Sequence, residues 1–351
     1  MESRKRPRSP AVQPATALRR RPAAAAGRPP RTGQHSHRAL AKPPPGVKAR
    51  HTWRRADAKR RRELELIREL RGRRDAPVDS LGTEAMGDEG APKEVFAFQV
   101  LVAVFLSSQT RDEATAAAVA QLKKGLPGGL TASSVLRAKD STLARLVRPV
   151  AFYNVKAKNM RRIARTILQE HAGMVPSSAE KLCELPGIGP KMAHIAVNVV
   201  TGQPQGIGVD SHVHRICNQL GWVHSKEPEG TRQQLEAWLP YSEWADVNLL
   251  MVGLGQQLQT ARAKALRRCF EVSKPMEALG LLERLGLDLA CREKGTGQGA
   301  LHWAAGAGEL GPLRLLLRRL RPHRDASGCW PRDLAGPAAA RLLRRSGPEG
   351  S

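Results

Sequence analysis

The heptapeptide Leu-Pro-Gly-Ile-Gly-Pro-Lys, residues 185–191, restricts the backbone conformations open to this segment and to the residues on either side of it. It lies between a short helical stretch and the apolar run Met192 to Val200. Its two glycines, Gly187 and Gly189, allow a sharp turn, and the proline that follows them is favourable at the first position of a helix. We therefore predict two helices joined by a tight hairpin over residues 178–200. An ordinary connection between two helices is the alternative interpretation.

The N-terminus of the second helix is suited to bind an anion. Amide groups of a first helical turn lack intrahelical partners, and the helix dipole places partial positive charge there. A DNA phosphate fits such a position without any reading of the base sequence. Glycines in the preceding hairpin would let the phosphate backbone approach closely.

Helical periodicity continues through the chain up to about residue 268, without clear strand alternation. Ser177 and Glu180 have the spacing of a capping box, which predicts the start of the first hairpin helix. The expected fold class is therefore all-α. Further helical stretches are Ala56 to Arg71, with an apolar stripe of Leu64, Leu66, Ile67 and Leu70, then Val95 to Ala120, Ala132 to Val147 and Val155 to His171.

The charge of the chain favours a polyanionic partner. Lys and Arg number 58 against 32 Asp and Glu, a net charge of +26. Residues 1–55 hold fifteen of these cations and one acid, which leaves +12 for the remaining 296 residues. Because the excess is not confined to the N-terminus, nucleic acid is the first candidate partner.

Residues 1–50 are rich in Pro, Ala and Arg and are predicted to be a disordered basic tail. Basic patches at 5–8 and 19–21 resemble nuclear-import signals, whereas the acid-poor, Arg-rich composition also fits a mitochondrial transit peptide. A nonspecific DNA tether is a third interpretation. We expect location in the nucleus and mitochondrion, with the nucleus favoured.

Apolar runs long enough to span a membrane are absent, so we expect a soluble intracellular protein without a membrane partner. The five cysteines are widely spaced and form no Cys-x-x-Cys pair. This pattern suits a reducing compartment and indicates neither a disulfide framework nor a metal site.

Lys191, at the end of the hairpin, precedes Asp210 by nineteen residues. A lysine amine is nucleophilic only when it is neutral, and a nearby carboxylate can organise its proton transfers. The pair suits Schiff-base chemistry at a sugar C1′, although two solvated surface charges are the alternative. His212 and His214 could suggest a metal, but residues two apart on a helix do not share a face. We expect a structural role for both.

The hairpin followed by Val-Asp-Ser-His-Val-His-Arg, residues 209–215, resembles the helix-hairpin-helix and catalytic aspartate of the endonuclease III family. The resemblance covers about 200 residues, and its opening segment is similar to the eukaryotic branch. Other matching segments begin at Asp75, Leu106 (Leu-Ser-Ser-Gln-Thr-Arg-Asp), Phe152 (Phe-Tyr-Asn-Val-Lys-Ala-Lys-Asn) and Val252 (Val-Gly-Leu-Gly-Gln-Gln).

The resemblance implies a two-lobed helix-hairpin-helix DNA glycosylase fold over residues 51–270, acting in base excision repair. Lys191 would attack C1′ of an extruded oxidised pyrimidine nucleotide, assisted by Asp210, and β-elimination at the resulting abasic site would cut the strand. The partner implied is double-stranded DNA that contains oxidised pyrimidines or abasic sites. Gln109 would fill the space of the flipped nucleotide, and the loop from Phe152 to Lys156 would wedge into the helix. Expected DNA contacts are Gln109, Asn154, Lys156, Gly187, Gly189 and His212.

The chain departs from the family after residue 255. Many members carry a four-cysteine iron-sulfur loop there, with the spacing C-x6-C-x2-C-x5-C. Here only Cys269 lies nearby, and one thiol cannot hold a cluster that requires four ligands. We predict no [4Fe-4S] cluster, no other cofactor and no metal site. In the family, the cluster loop presents positive charge to DNA. Here we expect Arg262, Lys264, Arg267 and Arg268 to replace part of that charge.

Residues 271–345 resemble ankyrin repeats, most clearly at Gly299 to Gly308, and residues 346–351 are predicted to be a disordered end. Two and a fraction repeats are marginal unless they pack on the catalytic part. Accidental similarity in a frayed or aberrantly spliced tail is the alternative. If real, the segment could bind a protein partner.

Two other functions are open at this point. The chain could be a catalytically weak DNA-binding or adaptor protein whose ankyrin-like tail recruits partners, because the cluster loop has been lost. It could also be a monofunctional glycosylase that uses water as nucleophile, although the presence of Lys191 argues against this.

Overall fold

The computed structural model describes residues 42–308 and 310–320, and these residues are almost entirely helical. Two isolated β-bridges but no strand occur among them, as the all-α prediction requires. No helix in this part of the chain is long and apolar enough to cross a membrane. The α-helices described are α1 (Ala58–Leu70), α2 (Pro77–Leu81), α3 (Lys93–Leu106), α4 (Asp112–Gly125), α5 (Ala132–Arg137), α6 (Asp140–Leu146), α7 (Tyr153–Glu170), α8 (Ala179–Cys183), α9 (Pro190–Thr201), α10 (Ser211–Gln219), α11 (Pro228–Trp238), α12 (Trp244–Thr260), α13 (Arg262–Arg268), α14 (Pro275–Arg284), α15 (Ala300–Gly306) and α16 (Leu310–Arg319).

The first lobe contains α3 to α9, packed around one apolar core that runs from Met86 to Val197. Helix α3 is buried from Ala97 to Leu106, because every residue of this stretch except Gln99 is apolar. The helical stretch predicted over residues 95–120 divides at 107–111, where a loop separates α3 from α4.

The second lobe combines α1 with α10 to α16. The apolar stripe predicted on α1 is buried in this core, with Leu64 and Ile67 fully inaccessible. The same core continues to Leu320, so the described residues after 271 pack directly on the remainder of the lobe. The predictions for residues 1–41, for 321–345 and for the end 346–351 lie outside the described residues.

A buried carboxylate, Glu63 on α1, joins distant parts of the second lobe. It accepts a 2.6 Å hydrogen bond from Trp222 Nε1 and a 2.5 Å bond from Arg284 Nη2 of α14. Glu63 is 6% exposed, and charged groups buried to this extent require such partners. The pairing therefore ties the C-terminal helices to α1.

Directly after α12 the chain forms α13, and side chains of both helices bind the carboxylate of Asp75. The Asp75 carboxylate accepts hydrogen bonds from Gln257 Nε2 at 2.9 Å and Arg268 Nη2 at 2.5 Å, and it pairs with Lys264 Nζ at 2.5 Å. Arg268 is only 4% exposed, and Arg267 lies 4.0 Å from Glu271. The expectation that these cations present charge to DNA does not hold for Arg268, whose charge is used inside the fold.

Replacing Asp75 by Asn is expected to lower the free energy of unfolding at pH 7 by about 1–3 kcal/mol, because Arg268 is left buried without its anionic partner. Burial alone would raise the pKa of Asp75, but the bonds from Arg268 and Lys264 hold it well below its ordinary value of 3.8. The ionised carboxylate therefore stabilises the fold at neutral pH, and this contribution is lost as the pH falls below about 4.

Urea unfolding at pH 7 and at pH 3 measures this linkage, since the variant should lose less stability on acidification than the wild type. Asp140→Asn is the matched control, because its ion pair with Arg161 is solvent-exposed and contributes about 0–1 kcal/mol. Equal losses in Asp75→Asn and Asp140→Asn would contradict the assignment.

Candidate active site

The predicted hairpin is present, formed by α8 and α9. Gly187 has φ +83°, and a Cβ atom there would lie 3.0 Å from Cε2 of Phe105 and 3.3 Å from Nδ2 of Asn159. Glycine is therefore required both by the turn and by the packing. A Cβ at Gly189, the residue that caps α9, would meet no described atom within 4 Å, so this side of the hairpin is open.

The capping-box prediction for the first hairpin helix is wrong. Helix α8 begins after Ser178, which makes no side-chain capping bond. Instead, Gln205 Oε1 accepts a 2.8 Å bond from the amide of Ala179, and Gln205 Nε2 donates to the carbonyl of Ser177. The start of the hairpin is thus fixed by a residue that follows α9.

Lys191 is the second residue of α9 and is solvent-exposed. The segment that leads to Asp210 lies against the same helical turn: a Cβ on Gly208 would be 2.6 Å from Cγ1 of Ile195 and 3.5 Å from the carbonyl oxygen of Lys191. Asn248 Nδ2 holds this segment through a 2.6 Å bond to the carbonyl of Gly208. The absence of a side chain at Gly208 therefore brings the two predicted catalytic residues to one place.

Asp210 caps α10, and its Oδ1 accepts a 2.8 Å bond from the amide of Val213. This bond fixes the orientation of the half-buried carboxylate and leaves Oδ2 without a hydrogen bond within the described part of the chain. Lys191 belongs to the first lobe and Asp210 to a helix of the second lobe. The site therefore lies at the boundary between the lobes.

Asp112, the first residue of α4, is a third charged group at this boundary and was not predicted as a site residue. Its Oδ2 accepts a 2.7 Å bond from Gln256 Nε2 of α12, whose Oε1 accepts from the amide of Val78. Burial raises the pKa of the Asp112 carboxyl above its ordinary value; Asp210 adds to the rise, whereas Lys191 opposes it. The three groups are thus electrostatically coupled.

His212 and His214 face different neighbours. A Cβ on Gly255 would lie 2.2 Å from Nδ1 of His212, so α12 makes room for this imidazole. Burial lowers the pKa of His212, and this favours its neutral form near Asp210. His214 Nδ1 is 2.8 Å from the hydroxyl of Thr231 on α11. Direct contact of half-buried His212 with DNA stays a prediction.

Two neighbouring loops carry the residues predicted to enter DNA. Gln109 is exposed and adopts φ +52°, and Phe152 is 65% exposed with φ +55°. Left-handed backbone is rare for residues other than glycine, and it concentrates at functional sites. Val155 and Asn154, in the first turn of α7, are also exposed.

Lys156 lies beneath these loops rather than on the surface. It is 5% exposed, and its Nζ donates to the carbonyls of Leu106 at 2.8 Å and Ser108 at 2.7 Å, and to Oγ1 of Thr110 at 3.1 Å. Burial lowers the pKa of Lys156 to about 8. This position does not fit the predicted direct contact with DNA. The spacing of Lys156 from buried Met160 and Ile163 places it on the apolar face of α7, a signal present in the sequence.

The residues near α12 do not fit an iron-sulfur cluster. Cys269 is buried in the core of the second lobe, with its Sγ 3.9 Å from the carbonyl of Ala265. Across residues 42–308 and 310–320, no group of three or more His, Cys, Asp and Glu side chains could hold a metal ion. A four-thiolate donor set is therefore not formed by the described cysteines.

Comparison with known proteins agrees with the interpretation of the hairpin. The family described as HhH-GPD superfamily base excision DNA repair protein matches residues 102–241. The chain is 45% identical to Endonuclease III-like protein 1 of Gallus gallus over 197 residues, 56% of this chain and 69% of the chicken protein. The corresponding Bos taurus protein is 46% identical over 199 residues, 56% of this chain and 64% of its own length.

The chain thus spans about two thirds of the length of these vertebrate relatives. The Endonuclease III homolog of Encephalitozoon cuniculi is 37% identical over 204 residues, which cover 55% of this chain and 84% of that protein. A solved structure of a non-covalent Endonuclease III-DNA complex has a TM-score of 0.46 at 24% identity, covering 56% of this chain and 84% of that one. The superfamily match includes the hairpin, Lys191 and Asp210, and with the identity to the chicken and Encephalitozoon proteins it shows that the chain belongs to the endonuclease III family.

Proposed function

We propose that this protein is a DNA N-glycosylase with abasic-site lyase activity that removes oxidised pyrimidines in base excision repair. The observation that carries the proposal is the position of Lys191. It is exposed in the second hairpin helix, at the lobe boundary and beside the segment that leads to Asp210. Family membership supports the same activity class.

The chemistry begins with the lone pair of neutral Lys191 Nζ, which attacks C1′ of the extruded nucleotide. The N-glycosidic bond breaks, and its electron pair leaves with the base, which takes up a proton. Asp210 accepts the proton released by the lysine amine and stabilises the developing positive charge at C1′. Opening of the sugar ring, with protonation of O4′, then gives a Schiff base between Nζ and C1′.

The Schiff base makes the C2′ proton acidic, and its removal starts β-elimination. Electrons of the C2′–H bond form a carbon–carbon double bond as the C3′–O bond breaks, and the 3′ phosphate leaves. Water then hydrolyses the imine and releases Lys191. Asp112, whose pKa burial raises, provides a second carboxyl group at the site for these proton movements.

The DNA backbone would lie across the hairpin, where the first amides of α9 face an open surface at Gly189. Gln109 and Phe152 would enter the space vacated by the flipped nucleotide, and exposed Asn154 would lie beside them. Extrusion costs a few kcal/mol and is easiest at damaged bases. This geometry would favour weakly stacked lesions such as oxidised pyrimidines.

A test uses the full chain and a duplex that contains one thymine glycol, with borohydride added during the reaction. We expect release of the damaged nucleobase, a strand break on the 3′ side of the lesion without added alkali, and a reduced covalent protein–DNA complex. Base release without a strand break or a covalent complex would show a monofunctional glycosylase. If neither base release nor strand cleavage occurs, DNA binding is the only function that remains. We also propose that the protein works without an iron-sulfur cluster, and iron analysis of the same active sample tests this.

Substitution of the two hairpin glycines should separate folding from DNA binding. Gly187→Ala is expected to lower the free energy of unfolding by about 1–2 kcal/mol, because alanine is strained at positive φ and Phe105 must shift. Gly189→Ala should leave unfolding unchanged but weaken binding to abasic duplex DNA, because the new methyl group stands where a phosphate approaches. Thermal denaturation and fluorescence anisotropy measure the two effects, and unchanged DNA binding in Gly189→Ala would contradict this phosphate position.

A second candidate function is a catalytically weak DNA-binding adaptor, favoured by helices α14 to α16, which share the core of the second lobe. The ankyrin-like surface would then recruit a protein partner. Salt-sensitive DNA binding without covalent trapping would favour this function. Under either function, action in the nucleus, and also in the mitochondrion, is our proposal from the basic N-terminal sequence.

A further inference from the structure

We propose that Lys156 is a positioning residue that holds the Gln109 loop (residues 107–111) and the Phe152 loop (residues 149–152) together as one preformed element for entering DNA. The inference rests on the proposed function, because it assigns a task to both loops in DNA binding. It rests physically on the hydrogen bonds of one buried ammonium group and one backbone amide.

The ammonium group has three N–H donors; one has its acceptor at the end of α3 and two have acceptors in the Gln109 loop. Leu106 O and Ser108 O lie 2.8 and 2.7 Å from Nζ, and Thr110 Oγ1 lies 3.1 Å away. Each acceptor is uncharged, and hydrogen bonds from a charged donor are about twice as strong as neutral ones. One side chain thus binds two backbone carbonyls before Gln109 and the Thr110 hydroxyl after it.

Two of these bonds reach carbonyls at and just after the end of α3. In a continuous helix, the carbonyls of Leu106 and Ser108 would accept from amides four residues later. Lys156 occupies these carbonyls, and Gln109 turns into left-handed backbone at φ +52°. Such a conformation costs about 1–3 kcal/mol and persists only where the surrounding structure determines it. The buried ammonium group of Lys156 is part of the structure that holds Gln109 in this conformation.

The second loop is joined to this ammonium group through Thr110. The hydroxyl of Thr110, which binds the ammonium, also accepts a 3.2 Å bond from the amide of Ala151. Gln109 and Phe152 are therefore connected through Lys156 and Thr110, while both side chains remain exposed.

A preformed pair of loops lowers the cost of opening the duplex. Loops that must become ordered on binding lose conformational entropy at that step, and this loss weakens the complex. Base extrusion already costs a few kcal/mol. Lys156 would therefore strengthen binding to duplex DNA, where a nucleotide must be extruded, more than binding to single-stranded DNA, where no base is paired.

The test compares Lys156→Met with Lys158→Met, which removes the same charge from an exposed position of α7. Unstacking is followed by fluorescence of 2-aminopurine placed next to an abasic-site analogue in duplex DNA, with Lys191→Ala also present so that no chemistry occurs. We expect Lys156→Met to weaken formation of the fluorescent complex roughly tenfold, on the scale of one charge-assisted hydrogen bond. Lys158→Met should lose only the small contribution of one surface charge.

A second readout separates positioning from general damage to the fold. With Lys191 intact, Lys156→Met should still be trapped by borohydride on a single-stranded abasic oligonucleotide, while trapping on the duplex falls. If Lys156→Met does not fold, Thr110→Val decides, because it removes the link to Ala151 and keeps the two carbonyl bonds. Normal unstacking by either folded variant would overturn the proposal, as would a wild type that never unstacks the duplex. Failure of wild-type trapping with normal unstacking would reject only the proposed chemistry.

Discussion

Lys191→Ala is expected to abolish the borohydride-trapped complex and to reduce strand cleavage at abasic sites by at least about a thousandfold, the scale seen when an enzyme loses its nucleophile. The residue is exposed at the second position of α9, and its carbonyl lies beside the segment that leads to Asp210. Alanine cannot form the imine, and it is a good helix former, so the hairpin should remain folded.

Three measurements check this expectation: covalent trapping, cleavage of abasic duplex DNA, and DNA binding by anisotropy. Binding should persist, since the hairpin amides and loops are unchanged. Lys181→Ala is the matched control, because it removes the same charge from the other hairpin helix at an exposed position. A covalent complex that survives in Lys191→Ala would mean that another amine is the nucleophile.

Asp210→Asn is expected to reduce base release by about 10²–10⁴-fold, while the free energy of unfolding stays nearly the same. The asparagine side chain can accept the bond from the Val213 amide that caps α10, because Asn is as effective an N-cap as Asp. It cannot accept a proton from the lysine amine or balance positive charge at C1′.

Single-turnover rates on a thymine glycol duplex, together with thermal denaturation, test this separation. Asp288→Asn is the control, since the Asp288 carboxylate also accepts a local backbone bond, from the amide of Ala290, at an exposed position outside the site. A normal rate in Asp210→Asn would show that the carboxylate only caps the helix. A large loss of stability would show that the cap requires the negative charge.

The features that could be predicted from the sequence are those with local causes. Hairpin residues Gly187 and Pro190 act on their own backbone, and the apolar stripe on α1 is a property of one helix. Proximity of Lys191 to Asp210 came from the family resemblance, because nineteen residues of separation alone do not bring two side chains together.

The features that were missed depend on partners far along the chain. Lys156, fifty residues later, binds the last carbonyl of α3, and Gln205 binds the first amide of α8. Asp112 belongs to the site because Gln256, 144 residues away, holds it there. No local pattern reports such bonds, although the spacing of Lys156 along α7 did indicate its buried face.

The division of the chain between the lobes has a consequence for the order of folding during synthesis. The core of the first lobe comes from one continuous stretch, residues 86–197, and can form soon after that stretch leaves the ribosome. Helix α1 is made earlier, but most of the described buried cluster that contains Leu64 and Ile67 is built from residues 207–320. Their apolar surface therefore stays without most of this core through more than a hundred residues of synthesis, and exposed apolar surface of this kind favours aggregation of the nascent chain.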